Sequence, residues 1–165
     1  MALLDGKVAL VTGASSGIGR AIALMFAEQG AALVLTARRG ALLEAVAKEI
    51  RQSGGRAEFV AGDITQAETH EQLIEAANSR FGGLDIAINN AGIVNTQRRV
   101  SEDGYEEMLA VNHLAPFLLT TKLLPLLEKS EYARIVNVAS HAHHFVKGMG
   151  FDDLQMQKKF KAIAG

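Results

Sequence analysis

The chain has 165 residues, a length typical of one domain, and 48% of them are hydrophobic, which is enough for a buried core. The formal net charge is -1, and the 17 lysines and arginines are spread along the chain, so no nucleic-acid partner is expected. The absence of cysteine from the sequence excludes disulfides, thiolate metal sites and a thiol nucleophile.

The first residues of the sequence, MALLDGKVALVTG, contain neither the basic segment nor the long apolar segment of a secretory leader. No apolar run reaches the roughly 18 residues that a membrane helix needs. These features predict a soluble, cytoplasmic protein without a membrane segment.

Apolar runs of strand length alternate with segments whose apolar residues recur at helical spacing. The predicted strands are Val8–Val11, Ala32–Ala37, Ala57–Ala61, Leu84–Asn89 and Arg134–Ala139. The predicted helices are Gly17–Gln29, Ala41–Gln52, Ala67–Phe81 and a longer helical region from Ser101 to Lys129, which Pro116 and Pro125 should bend or interrupt. Thr65-Gln66-Ala67-Glu68 matches the capping-box pattern at the start of the third helix.

This alternation is typical of a parallel sheet with right-handed crossovers, so the sequence predicts one doubly wound α/β domain over residues 1–165. Ligands of such domains bind beyond the carboxyl ends of the strands. The motifs that suggest chemistry all lie at this edge.

A glycine-rich turn, TGASSGIGR from Thr12 to Arg20, joins the first strand to the first helix. Gly13, Gly17 and Gly19 permit a tight turn and a close approach of the backbone to a ligand. The unpaired amides and the dipole at the start of the helix favour a bound diphosphate. In this strand-turn-helix context the glycines indicate a dinucleotide site, although glycine turns also serve as plain connections.

Arg38 and Arg39 follow the second strand, where the usual dinucleotide fingerprint has an acidic residue for the ribose hydroxyls. Guanidinium groups bind a phosphate bidentately, whereas a carboxylate would repel it. The arginines therefore favour NADP over NAD as the cofactor. The alternative is that both side chains are simply solvated at the end of a strand.

Asp63 follows the third strand, where its carboxylate could accept a hydrogen bond from an adenine amino group or stabilise a local turn. Asn89-Asn90-Ala91-Gly92 follows the fourth strand. Its small residues would let the backbone approach a sugar, but such turns also occur without ligands.

The motifs TGASSGIG, the Asp63 position, NNAG, VNH around Asn112 and the strand ending in VNVAS occur in the order seen in the short-chain dehydrogenase/reductase family. The resemblance covers nearly the whole chain. Within the family, VNHLAPFLLT, VASHAHH and FDDLQ most resemble the retinol dehydrogenase and WW-domain-oxidoreductase branch.

The resemblance implies NAD(P)-dependent hydride transfer between an alcohol and a ketone or aldehyde, and the arginines after the second strand favour NADP in this role. It implies catalytic roles for Ser140, which would orient the substrate carbonyl, and Asn112, which would support a proton-relay water. It also implies a set of cofactor-binding residues along the carboxyl edge: Gly13, Ser15, Ser16, Gly17, Ile18, Gly19, Arg38, Arg39, Asp63, Ile64, Asn90, Ala91 and Gly92.

The family mechanism uses a tyrosine as acid/base, with a lysine four residues later that lowers the pKa of the tyrosine and binds the ribose. Neither tyrosine fits, because Tyr105 is followed four residues later by Leu109, and Tyr132 by Val136. We therefore expect a Rossmann domain with five of the usual seven strands, truncated at its carboxyl end and inactive by itself. Its fifth strand would have an open edge, which could pair with another copy.

Two further interpretations stay open: a non-catalytic module that binds NADP or a partner, and an isolated folding fragment. The cluster of His141, His143 and His144 is not expected to bind metal, because it has no cysteine and no placed carboxylate beside it.

Overall fold

The computed structural model describes residues 2–141, 144, 148, 150–158 and 160. Five strands form a single sheet: β1 Val8–Thr12, β2 Ala32–Ala37, β3 Arg56–Ala61, β4 Ile86–Asn89 and β5 Arg134–Asn137. The helices are α1 Gly17–Glu28, α2 Gly40–Gln52, α3 Ala67–Phe81, α4 Glu107–Leu109, a π-helix Ala110–Leu114, α5 Ala115–Leu127 and a 3-10 helix Phe151–Asp153.

The strand order is β3-β2-β1-β4-β5, and every neighbouring pair is parallel. The chain moves outward from β1 to β3 and then returns to place β4 on the other side of β1. The predicted α/β doubly wound sheet is thereby confirmed, and the point where the strand order reverses lies between β1 and β4.

Alternate residues of β1 enter opposite cores, as expected when a strand is covered on both faces. Leu10 packs with α3 and α5 residues such as Leu73 and Leu119, while Val11 packs with α2 residues such as Leu43. All of these side chains are completely buried. The continuous apolar runs in the sequence correspond to this two-sided burial.

One predicted helix cap and one predicted helix start are wrong, although α3 has the predicted bounds Ala67–Phe81. Thr65 does not cap α3, because its hydroxyl donates to Asp63 Oδ1, and Gln66 precedes the helix without a side-chain cap. The fourth helical region begins at Glu107 rather than Ser101, since Ser101 instead accepts a turn hydrogen bond from Tyr105 and the following segment forms a bridge to Val100. Local side-chain bonds replace the expected caps in both places.

The helical stretch Glu107–Leu127 is the one helix within the described residues that has the length and apolar composition to cross a membrane, with a mean hydropathy of 1.2. The sequence predicts no membrane segment. Leu119 and Leu123 of this stretch are completely buried against the sheet. The core helix of a soluble protein meets the same two criteria, so length and composition are weak evidence for a membrane span.

β5 is one of the two edge strands, and all four of its residues are exposed, whereas all four residues of its neighbour β4 are buried. Ile135 and Val136 are 40% and 45% exposed. Because consecutive strand residues point to opposite faces, both faces of β5 are partly uncovered. Among the described residues no strand pairs with the outer side of β5, as predicted.

Asp85 joins three strands at their amino ends. Its carboxylate accepts hydrogen bonds from the Val8 amide at 2.8 Å and the Ser130 hydroxyl at 2.5 Å, and Lys7 Nζ lies 3.6 Å away. Its backbone carbonyl accepts from Arg134. Burial acts to raise the pKa of Asp85, but the two hydrogen bonds and the Lys7 charge outweigh burial and lower it.

We predict that Asp85→Asn lowers the free energy of unfolding by about 1.5–3 kcal/mol, the range for hydrogen bonds to a charged group. A lowered pKa in the folded state stabilises the fold above the ordinary value of 3.8, and this contribution is lost as the pH falls through the folded-state pKa. Urea unfolding of the wild type, Asp85→Asn and the exposed control Asp103→Asn from pH 7 to pH 3 tests this. An equal effect of both substitutions would contradict it.

Candidate functional site

A cavity of about 430 Å³ opens at the carboxyl edge of the sheet, over the point where the strand order reverses. Four loops enclose it, one after each of the strands β1, β2, β3 and β4. The loops contribute polar, glycine and small apolar residues, among them Gly13, Ser15, Ser16, Ile18, Arg38, Arg39, Gly62, Asp63, Ile64, Asn90, Ala91, Gly92 and Ile93. Most of the residues predicted from separate motifs are therefore brought together in one site.

Gly19 does not line the cavity but allows α1 to approach the glycine turn. A Cβ on Gly19 would lie 2.4 Å from the Gly13 carbonyl oxygen and 2.5 Å from Asn90 Nδ2. Gly13 has a φ of 68°, and a Cβ there would lie 3.0 Å from the Ala91 Cα. Both glycines are thus required by packing between protein segments. Gly17, also with a positive φ, opens α1 without lining the cavity.

Thr12, at the end of β1, holds the loop after β4 against the glycine turn. Its Oγ1 accepts hydrogen bonds from the amides of Asn90 and Ala91 at 2.9 and 2.8 Å, and the Asn90 side-chain amide donates to the Thr12 carbonyl at 2.9 Å. Thr12 is 2% exposed. The loop that carries NNAG is consequently positioned from β1, its neighbour in the sheet.

Arg39 reaches across the cavity mouth from the loop after β2. Its Nη2 donates to Ser16 Oγ at 2.5 Å and lies 3.3 Å from Ser15 Oγ. Arg38 lines the same cavity beside it. The arrangement concentrates positive charge and hydroxyl donors between the ends of β1 and β2, close to the start of α1, where the helix dipole also favours an anion.

The sequence predicts either an adenine contact or a local turn for the Asp63 carboxylate, and the structure shows the turn. Its Oδ1 accepts from the Thr65 amide at 2.9 Å and the Thr65 hydroxyl at 2.8 Å. Ile64 is 7% exposed and faces both the core and the cavity. The turn therefore gives the cavity a firm wall at the end of β3.

Asn112 lies in the π-helix and is exposed, and it does not line the cavity. Its Oδ1 accepts from the Ile93 amide at 2.8 Å, and its Nδ2 donates to the Ile93 carbonyl at 2.9 Å. Pro116 lacks the N–H that would bond the Asn112 carbonyl in a regular α-helix, and the helix widens just before this proline. Asn112 thus holds the segment that follows Gly92.

Ser140 is exposed and follows β5 at the carboxyl edge, two residues beyond Val138, whose amide donates to the Asn89 carbonyl at 2.9 Å. Ser140 does not line the cavity. The His141 and His144 ring centres are 4.3 Å apart, and His143 lies outside the described residues.

Neither tyrosine lines the cavity. The Tyr132 ring lies 5.3 Å from Lys7 Nζ, beside the amino end of β1, at the opposite edge of the sheet from the glycine turn. Tyr105 is 45% exposed, in the turn before α4. The structure therefore separates both phenols from the site.

Three residues of the site carried no separate signal in the sequence. The sequence identifies Thr12 only as the first residue of the glycine-rich turn and predicts no hydrogen-bonding role for it. Thr36, which pairs with Thr12 in the β1–β2 register, lines the cavity with a buried Oγ1 that has no hydrogen-bond partner among the described residues. Gly62 packs against Thr69 of α3, and a Cβ on Gly62 would come 2.4 Å from the Thr69 hydroxyl oxygen. Strand register and helix packing create these roles.

The cavity fits a phosphorylated dinucleotide in its donor groups. Two arginines and two serines line it, with Arg39 bonded to both serine hydroxyls, and the buried Thr36 hydroxyl needs a polar partner. A nicotinamide dinucleotide bound there would supply hydride chemistry. The fold and site define a nucleotide-binding α/β protein of the Rossmann type.

The chain belongs to the short chain dehydrogenase family, whose model matches residues 7–150. It is 41% identical over 139 residues to the 2,5-dichloro-2,5-cyclohexadiene-1,4-diol dehydrogenase of Sphingobium indicum, covering 83% of this chain and 56% of that protein. It is 38% identical over 159 residues to human retinol dehydrogenase 12, covering 95% of this chain and 50% of that protein. The predicted family and its retinol dehydrogenase-like branch are confirmed.

Among solved structures, a metagenomic short-chain oxidoreductase in complex with NADP superposes with a TM-score of 0.75 at 36% identity. The match covers 83% of this chain and 63% of that chain. The chain spans about half the length of the curated relatives it matches.

We predict that Gly19→Ala lowers the free energy of unfolding by about 1–3 kcal/mol, the usual cost of overpacking, because the new methyl group meets backbone at Gly13. Gly83→Ala is the matched control, since a Cβ there has nothing within 4 Å. Urea unfolding measures both. Equal stability of the two variants would show that the close approach at Gly19 is not a constraint.

Proposed function

We propose that this chain forms the NADP-binding part of a dehydrogenase that transfers hydride between an alcohol and a ketone or aldehyde. The single observation that carries the proposal is the pair Arg38 and Arg39 at the cavity mouth, with Arg39 hydrogen-bonded to both serines of the glycine turn. Membership in the short chain dehydrogenase family supports the reaction type.

The residues around the cavity suggest how the cofactor would lie. The amides and hydroxyls at Gly13, Ser15 and Ser16 would bind the diphosphate, and Arg38 and Arg39 would bind the 2′-phosphate of NADP. An NAD ribose carries no such phosphate, so the same arginines favour NADP. The NADP complex of the structural neighbour is consistent with this preference.

The other loops would complete the nucleotide site. Asp63 and Ile64 would flank the adenine, and Asn90, Ala91 and Gly92 would lie beside the nicotinamide ribose. The backbone at Gly92 can approach a sugar because its neighbours leave space, with the Asn112 Oδ1 3.5 Å from where a Cβ would be.

The substrate class that we propose is a small molecule with a carbonyl or alcohol group. Ser140 would donate a hydrogen bond to the substrate oxygen from the carboxyl end of β5. Asn112 would act mainly by positioning the segment after Gly92, to which its side chain is bonded.

A second candidate function is a module that binds NADP without turnover. The position of Tyr132 favours it, because this phenol lies at the amino edge of the sheet and cannot exchange a proton with a substrate near Ser140. Within residues 1–165 the tyrosine-lysine pair has no counterpart. Catalysis by these residues would then lack a general base worth roughly 10²–10⁴-fold in rate.

We predict that Arg38→Ala and Arg39→Ala each weaken NADP binding by about tenfold or more, because each removes a charge-assisted hydrogen bond to the 2′-phosphate. Affinity for NAD should change much less. Isothermal titration calorimetry with both nucleotides measures the preference, and Arg80→Ala, on the exposed end of α3, is the control. Equal losses for NADP and NAD would contradict the phosphate role of the arginines.

We also predict saturable NADP binding by residues 1–165 without detectable oxidation of alcohols or reduction of carbonyl compounds. The assay follows NADPH formation or consumption over a panel of aliphatic, cyclic and aromatic alcohols and ketones. Robust turnover that Ser140→Ala abolishes would contradict the prediction. It would place the chemistry within these residues.

A further inference from the structure

His70 occupies an apolar position in the core beneath the cavity. It lies on the face of α3 that also buries Leu73 and Ala77, and its side chain is 0% exposed. A buried polar side chain costs free energy unless its polar atoms are bonded. An apolar residue would satisfy this position at less cost, so core stability alone does not account for a histidine.

The ring makes one hydrogen bond, and that bond reaches the wall of the cavity. His70 Nε2 lies 2.7 Å from the carbonyl oxygen of Ile64. A carbonyl only accepts, so Nε2 must carry the proton. Nδ1 is buried without a partner among the described residues. The single hydrogen bond of the His70 ring among the described residues is therefore made to the backbone of a residue that lines the cavity.

The environment keeps this ring neutral. Burial lowers the pKa of His70, and the charge of Lys122 on α5 lowers it further; the bond to Ile64 and the charge of Glu71 act in the opposite direction but are outweighed. Lys122 and Glu71 are 3.7 Å apart and form an ion pair beside it. The ring is therefore neutral at neutral pH, and the bond to the Ile64 carbonyl places its single proton on Nε2.

The segment after β3 is held by α3 at two points. Thr69 packs against Gly62, and His70 bonds to Ile64, the residue between the two ends of the Asp63–Thr65 turn. Gly62, Asp63 and Ile64 all line the cavity. Moving the Ile64 carbonyl would move the wall on the adenine side but not the loops after β1 and β4.

We propose that His70 is a positioning residue for the adenine side of the nucleotide site, acting through the Ile64 backbone. The inference rests on the proposed NADP-binding function. The ligand chemistry concerned is the adenosine half of the dinucleotide, including its 2′-phosphate. His70 touches no ligand itself.

The test compares two polar substitutions of similar character. In His70→Gln the side-chain amide nitrogen can take the place of Nε2, whereas in His70→Asn the shorter side chain cannot reach the Ile64 carbonyl. Leu73→Ala is the control for a loss of core packing on the same helix face. Calorimetric titration of each variant with NADP and with adenosine 2′,5′-bisphosphate, the adenine half alone, gives the two affinities.

We expect His70→Asn to weaken both ligands by the same factor, about three- to tenfold, as the loss of one positioning hydrogen bond suggests. His70→Gln should retain most of the affinity, and Leu73→Ala should lose stability in urea without a matching loss of affinity. If folded His70→Asn binds both ligands with wild-type affinity, the inference is overturned while the proposed function stands. The same holds if Leu73→Ala loses as much affinity as His70→Asn. Failure of the wild type to bind either ligand would instead overturn the proposed function, and the inference with it.

Discussion

The close approach of α1 to the glycine turn is the constraint on which the rest of the site depends. At Gly19 the helix backbone lies so near the Gly13 carbonyl and the Asn90 side chain that no Cβ fits between them. Thr12 joins the same point to the loop after β4 through three hydrogen bonds. The two halves of the sheet therefore meet in a fixed geometry, and the cavity is the space that this junction leaves between the loops.

Charge is divided between the two edges of the sheet. Arg38 and Arg39 stand at the carboxyl edge, beside the start of α1, where an anion is favoured. Asp85 stands at the amino edge, where it accepts hydrogen bonds from Val8 and Ser130 and joins β1, β4 and β5. The amino edge of the sheet thus contributes to stability, while the carboxyl edge carries the arginines and hydroxyls that line the cavity.

Buried polar atoms without hydrogen-bond partners also distinguish the carboxyl edge of the sheet from the amino edge. Among the described residues they belong to Thr36, His70, Asn89 and Glu106, which lie near the carboxyl ends of the strands or in the segments that follow them. Unsatisfied polar atoms cost stability, and their concentration at one edge is typical of a functional site. Thr36 lines the cavity directly, and His70 bonds to the carbonyl of Ile64, which lines it.

The sequence by itself determined the strands, the parallel α/β fold, the glycine turn and the arginines after β2. Those features depend on short-range patterns: apolar runs, helical spacing, and residue types that follow a strand. It could not determine the roles of Thr12 and His70, because these depend on which atoms meet across strands and between a helix and a distant turn. The cap of α3 and the start of α4 were also predicted wrongly, since the side chains of Thr65 and Ser101 bond within local turns. Only the tertiary structure decided that Gly13 and Gly19 are required by packing between protein segments, because that depends on the distances between the α1 backbone, the glycine turn and the segment after β4.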